Sequence, residues 1–151
     1  MITRKNFIVA GVSILTTATV IAFAQSAAKP AMHSAIFNWK DLKAETTKTG
    51  ERREVFDSTT TTLTRLEMHI TTLNPGESPH PAHHHPEEEL MIVKEGTIEE
   101  VLNGVTNRVE AGGIIFAASE EMHGMRNIGT NRATYYVVKI YPHDLPKPRP
   151  Q

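Results

Sequence analysis

The sequence predicts an all-β domain, either a sandwich or a barrel. Three observations carry this reading. Short β-branched or aromatic runs follow one another through residues 55–141, each closed by Gly, Pro or Asn turn signals. Asn103-Gly104 separates two of these runs, 98–102 and 105–109. Asn-Gly tolerates the positive φ that a two-residue hairpin needs at both central positions. The same span shows no long helical period.

Taken in order, residues 1–24 stand apart from the fold. Arg4 and Lys5 give a positive start, 8–22 is mainly apolar, and Ala22-Phe23-Ala24 is a small-x-small cleavage signal before Gln25. This is the pattern of a secretory signal peptide. An uncleaved anchor is the competing reading. The apolar run is near the lower length limit for a bilayer and its threonines weaken it, so no stable membrane span is expected in the mature form. Thr3-Arg4-Lys5-Asn6-Phe7-Ile8 resembles a twin-arginine export signal, with lysine in the second basic position. Both the Sec and Tat routes therefore stay open. The expected location is periplasmic or secreted.

Residues 25–54 read as an N-terminal extension. Its 25–32 stretch is Ala-rich and polar. Ile36, Phe37, Trp39 and Leu42 follow, including the chain's single tryptophan. Trp39 is expected in the core or at a dimer contact. Residues 43–54 are charged, Thr-rich and interrupted by Gly50, and read as a surface loop.

The domain proper is placed at 55–141. Thr59-Thr60-Thr61-Thr62 is a short β-branched run. Leu66, Met68 and Ile70 alternate with Glu67, His69 and Thr71, the period of a half-buried strand. Asn74-Pro75-Gly76 is a turn. Beyond Glu89, Met91 and Val93 share one face while Leu90 and Ile92 share the other. A strand apolar on both faces is central or covers an interface. Residues 114–116 read as a short buried strand and 117–121 as a loop. His123 opens the next strand, 127–131 is a turn, and 132–141 is a long last strand. Residues 142–151 contain four prolines and read as an extended tail.

Composition narrows the function. The 151 residues are 39% hydrophobic, enough for one core. With no cysteine there is no disulfide framework, thiolate metal site or lipidated cysteine. A formal net charge of −1 without a large basic patch argues against nucleic acid as a partner.

The chemistry concentrates in His83-His84-His85-Pro86-Glu87-Glu88-Glu89. On an extended strand His83 and His85 leave the same face, and His84 points away. Pro86 favours a turn there. Glu89 on the returning strand aims a carboxylate at the same point. Imidazoles plus a carboxylate suit manganese, iron, nickel, copper or zinc. An exposed His-rich metal-scavenging tract including His80 and His84 is the alternative. Glu87 and Glu88 read as solvent-facing turn residues, and His69 and His143 as surface residues.

These residues resemble the first motif of the cupin superfamily, G-x(5)-H-x-H-x(3,4)-E-x(6)-G. Gly76, His83, His85, Glu89 and Gly96 match it, except that six residues rather than five separate Gly76 from His83. The second motif, G-x(5)-P-x-G-x(2)-H-x(3)-N, is matched at Gly112, His123 and Asn127. Ala118 stands at its proline and Glu120 at its second glycine. The resemblance implies a double-stranded β-helix, or jelly-roll barrel, with one domain and a metal in the barrel mouth. It adds His123 as fourth ligand to His83, His85 and Glu89, and gives Asn127 a structural role. It implies one divalent first-row transition metal, a small-molecule substrate or ligand, and a homodimer. Leu90 and Ile92, or the segment around Phe37 and Trp39, are the expected dimer contact. Four ligands on a six-coordinate metal leave two open positions, whereas a closed tetrahedral zinc is structural. Two functions remain: a metal-dependent enzyme of the dioxygenase type with Glu89 as proton acceptor, or a non-catalytic envelope protein that binds a small ligand or metal. Tyr135, Tyr136, Arg126, Met68, Met91, Met122 and Met125 are candidate pocket residues.

Overall fold

The computed structural model describes residues 30–143, and these fold into two antiparallel sheets. The elements are β1 (Glu45–Thr47), β2 (Gly50–Ser58), β3 (Leu63–Leu73), β4 (Glu88–Glu95), β5 (Thr97–Leu102), β6 (Val105–Glu110), β7 (Ile114–Ala117), β8 (His123–Asn127) and β9 (Ala133–Pro142). The larger sheet runs β1-β2-β3-β9-β4-β7 and the smaller β6-β5-β8. This is the jelly-roll arrangement. The only helical element among the described residues is a single 3-10 turn, Trp39–Asp41.

Alternation fixes which side chains face inward. On β4, Met91 and Val93 are buried, whereas Leu90 and Ile92 are half-buried on the other face. Ile115 from β7, Tyr135 and Val137 from β9, and Ile98 and Met125 from the small sheet complete one core. The β5–β6 hairpin turns at Asn103 (φ 49°) and Gly104 (φ 82°), the geometry that Asn-Gly favours. Asn127 is fully buried and acts as a structural clip. Its amide donates to the carbonyls of Leu73 and Asn131, and its oxygen accepts from the Gly129 N–H.

Several local expectations are corrected. Residues 43–54 are not a loop: β1 pairs with β2 across a tight turn, so position 55 falls inside β2. Thr59 to Thr62 lie between β2 and β3 and belong to no strand. Thr60 there accepts the N–H of Leu63, so the hydroxyl serves a turn. On β7 only Ile115 and Ala117 are buried, while Ile114 and Phe116 are 66% and 52% exposed. On β3 the polar face turns inward, while Ile70 on the opposite face is buried as well, at 2% exposed. Glu67 and His69 are buried on the inner face, and Met68 is half-buried on the outer one. Trp39 is outside the core. It lies under two cations, Arg53 at 4.8 Å and Lys94 at 3.8 Å from the ring centroid, and Phe37 contacts Phe56 at 5.4 Å between centroids. The tail from 144 onward and the 1–29 segment, with the proposed signal peptide, lie outside the described residues.

Candidate metal centre

Backbone hydrogen bonds deliver the histidines to one place. His83 and His123 each donate an N–H to the other's carbonyl, at 2.9 Å, so the segment before β4 lies against β8. Gly124 permits this approach, because a Cβ there would stand 2.8 Å from Ala82 Cα. Glu120 donates its N–H to the carbonyl of His85 at 2.9 Å. Its φ is +61°, the left-handed conformation that glycine adopts freely and that costs another residue about 1–2 kcal/mol. The substituted family position thus keeps the glycine backbone. Its side chain accepts a 2.9 Å hydrogen bond from His84, which is exposed and points away from the centre.

One ring nitrogen from each of His83, His85 and His123 lies within 4.8 Å of the others. Nδ1 of His85 is 3.0 Å from the Glu87 carbonyl, and Nδ1 of His123 is 2.9 Å from the Glu121 carbonyl. A carbonyl only accepts, so both Nδ1 atoms carry the proton and Nε2 is the atom each ring can turn to a metal; on His85 that nitrogen meets Glu89 and must give up its proton to ligate. Nε2 of His123 and Nδ1 of His83 are buried without any hydrogen-bond partner. Buried polar atoms are seldom left so, and a bound cation would satisfy such a nitrogen. Glu89 touches the cluster at one member, with Oε2 3.1 Å from Nε2 of His85, and is not itself in the 4.8 Å group. Two ligand atoms at about 2.1 Å from a metal and at right angles to each other lie about 3 Å apart, so the contact is compatible with a shared centre. Three imidazoles and a carboxylate fit a divalent transition metal chemically.

The electrostatics suit ligation at His83 and Glu89, whereas at His85 a metal must displace a proton. Burial pushes His83 down to about 4, with the neighbouring imidazoles adding to it, so its ring is neutral at pH 7. Burial alone would raise Glu89. The hydrogen bond from His85 and the charge of Lys139 outweigh that and hold it at about 2, so it is ionised. His85 is raised chiefly by the same bond.

A cavity of about 230 Å³ opens beside the cluster. Met91, Met125 and Tyr135 line it, as the sequence allowed, but Met68, Met122, Tyr136 and Arg126 do not. Arg126 instead borders a more open groove outside, which shares His80 with the cavity. His80 stands edge-on to His83 with centroids 4.3 Å apart. His69, expected on the surface, is buried on the cavity wall and pushed down to about 4 by burial. Glu87, also expected in solvent, is 8% exposed and accepts from the Tyr141 hydroxyl at 2.9 Å. Glu88 and His143 are exposed as expected. Glu54, Glu67 and His69 form a second close acidic group. Arg52 bonds both of its carboxylates and Arg65 also bonds Glu67, so arginine already supplies the counter-charge.

Sequence reasoning missed Glu100. It is fully buried, neither carboxylate oxygen meets a partner in good hydrogen-bond geometry, and burial pushes it up to about 8, opposed in part by the nearby Gly124 backbone N–H, with the charge of Glu89 adding a little. The available signal was parity: Glu100 shares a strand face with Ile98 and Leu102.

Comparison with known proteins agrees with this geometry. A cupin-domain family profile matches residues 69–139. No curated protein matches the chain by sequence. Many solved structures share the fold. An RmlC-like cupin from Shewanella frigidimarina superposes with a TM-score of 0.60 at 15% identity, covering 74% of this chain and 95% of its own. A predicted oxalate decarboxylase from Thermotoga maritima gives 0.59 at 20%, covering 71% and 99%. The polyketide cyclase RemF from Streptomyces resistomycificus gives 0.57 at 24%, covering 77% and 89%. At such identities the likeness speaks for fold alone. The matched profile, the two sheets and the shared fold agree that the described residues carry a single cupin domain, with the profile spanning residues 69–139.

Proposed function

We propose that this protein is a metal-dependent enzyme of the dioxygenase type acting on a small molecule. His83, His85, His123 and Glu89 hold one divalent first-row transition metal, and Glu89 doubles as the proton acceptor. The observation that carries this reading is the unpartnered, buried Nε2 of His123 within the three-histidine cluster, next to a cavity of about 230 Å³. The cavity wall offers no serine and the chain no cysteine, so a side-chain nucleophile of those types is not at hand. When bound, the metal supplies Lewis acidity and open positions for water, dioxygen or substrate. The chain's own part is to orient the imidazoles through the Glu87 and Glu121 carbonyls and to keep Glu89 ionised. The test is metal analysis of the purified protein, then oxygen uptake by the metal-loaded protein on a panel of small molecules. Stoichiometric metal with substrate-dependent oxygen consumption is the expected result.

One observation favours a non-catalytic small-ligand or metal-binding protein instead. Glu89 already contacts both Lys139 and His85, which leaves it less available as a base. Metal that exchanges freely while nothing on the panel turns over would favour that reading. We also place the mature protein in the periplasm or outside the cell, beginning at Gln25. Mass spectrometry of the native protein tests this, and an intact 1–24 segment in the membrane fraction would overturn it. Among the described residues no helix is long and apolar enough to cross a membrane.

A further inference from the structure

Three side chains stand directly opposite one another across the inner wall at the level of the histidines. Glu67 on β3 faces Lys139 on β9, and Lys139 faces Glu89 on β4. By charge this is a minus–plus–minus ladder, but the contacts are uneven. The oxygens of Glu67 are taken by Arg52 at 3.2 Å, Arg65 at 2.9 Å and His69 at 3.2 Å. Lys139 therefore leans the other way. Its Nζ is 3.3 Å from Glu89 Oε2 and 3.9 Å from Glu87 Oε1. Glu87 has other claims on it, from the Tyr141 hydroxyl at 2.9 Å and from His85 Nδ1 at 3.6 Å. The short-range balance of Lys139 thus comes from Glu89, through the same oxygen that meets His85 Nε2 at 3.1 Å.

That oxygen cannot serve Lys139 and a cation equally. A divalent charge among the three imidazoles draws Glu89 more strongly than one ammonium does, because attraction scales with charge. Lys139 then faces a partly desolvated cavity, on whose wall it already lies, with its closest counter-charge withdrawn. An ammonium in that position favours an anionic partner. The cavity, at about 230 Å³, exceeds the roughly 150 Å³ space known to admit benzene, so an aromatic acid of that scale fits.

We propose that Lys139 is the anion-recognition residue of this cavity, uncovered when a divalent cation engages Glu89, and that the ligand class is a small organic carboxylate. The inference rests on the metal-site reading above and adds the chemical class of the ligand. The test uses Co2+ as the metal and benzoate and benzamide as probes, with affinities from calorimetry and the metal environment from visible absorption. Wild-type protein loaded with Co2+ is expected to bind benzoate about tenfold more tightly than benzamide, and about tenfold more tightly than the metal-free protein binds benzoate. Lys139→Met keeps the stem and removes the charge. It is expected to take up one Co2+ at least as tightly as wild type, since a competitor for Glu89 is gone, while losing the preference for benzoate. Lys139→Arg is expected to keep that preference, which separates loss of charge from loss of fold. Equal benzoate affinity in Lys139→Met and wild type overturns the proposal, because the metal alone would then hold the anion. Equal benzoate affinity with and without Co2+ overturns the uncovering step. Failure of wild-type protein to take up Co2+ overturns the metal reading itself, a distinct result.

Discussion

Single residues decide both the chemistry and the pH response of this barrel. Glu100 is an acid sealed in the core with only the Gly124 backbone N–H near enough to ease its charge, and its folded value of about 8 lies well above its ordinary 4.5. The folded state therefore holds a proton that the unfolded state releases between those values, so stability falls as pH rises across that window. It is complete below about 4.5 and reaches its floor above about 8. We expect Glu100→Gln to flatten this slope, leaving the variant more stable than wild type at pH 9 by on the order of a few kcal/mol. Urea unfolding of both proteins at pH 5 and pH 9, with chelator present, measures it. Parallel slopes would mean that Glu100 is ionised in the fold. The histidines give a second contrast. Alanine at His83, His85 or His123 removes a member of the cluster and is expected to lower metal content at least tenfold under limiting metal. His84→Ala removes an exposed ring bonded to Glu120 and should leave metal content unchanged. Equal loss in His84→Ala and His85→Ala, read by elemental analysis, would sink the spacing argument.

At the scale of elements, the centre depends on how closely the segment before β4 can approach β8. Gly124→Ala would place a methyl 2.8 Å from both Cα and Cβ of Ala82, which cannot be relieved by a flexible side chain. We expect a cost of about 1–3 kcal/mol in thermal unfolding and a weaker Co2+ titration, because the His83–His123 backbone pair shifts with the segment. Unaltered metal affinity would show that this approach does not position the histidines. The same elements explain what the sequence revealed and what it withheld. The β5–β6 hairpin was legible because Asn103 and Gly104 encode their turn locally. The clustering of His83 with His85 was legible because residues two apart on extended backbone share a face, although the expected strand is not there: His83 makes an isolated bridge to His123 and His85 lies outside any strand. His123 was legible only through a family motif, since its approach to His83 comes from pairing across 40 positions. The inward turn of Glu67 and His69 was not legible. Alternation gives two faces without saying which is inside, and here the inner face meets a polar cavity rather than a purely apolar core. Burial of Glu87 depends on Tyr141, 54 residues later, which no local pattern reports. The β1–β2 hairpin was not legible because its charged and threonine side chains obscure the strand period.

At the scale of the whole molecule, the outer face of the large sheet is unevenly covered. Toward β2, Phe37 packs on Phe56, and Trp39 lies under Arg53 and Lys94, so the N-terminal segment shields part of that face. Toward β7 nothing comparable is seen among the described residues. Leu90 stands opposite Phe116 and Ile92 opposite Ile114, a four-residue apolar patch ending at an edge strand. Ile114 and Phe116 are more than half exposed, which is costly for large apolar side chains and unusual for a contiguous patch on a monomer. We propose that a second copy of the chain covers this patch, through Leu90 and Ile92 together with their β7 neighbours. A self-complementary two-fold contact suits it, since the patch is apolar throughout and needs no opposite charge from a different partner. The Phe37 and Trp39 segment is the less apt contact, because its aromatic rings already have intramolecular partners. Light scattering at micromolar concentration is expected to give twice the chain mass for wild type. Phe116→Glu, at a position 52% exposed, should give a folded monomer, whereas Phe37→Ala should remain dimeric. A wild-type monomer, or a Phe116→Glu protein that still dimerises, would remove the β7 patch as the interface.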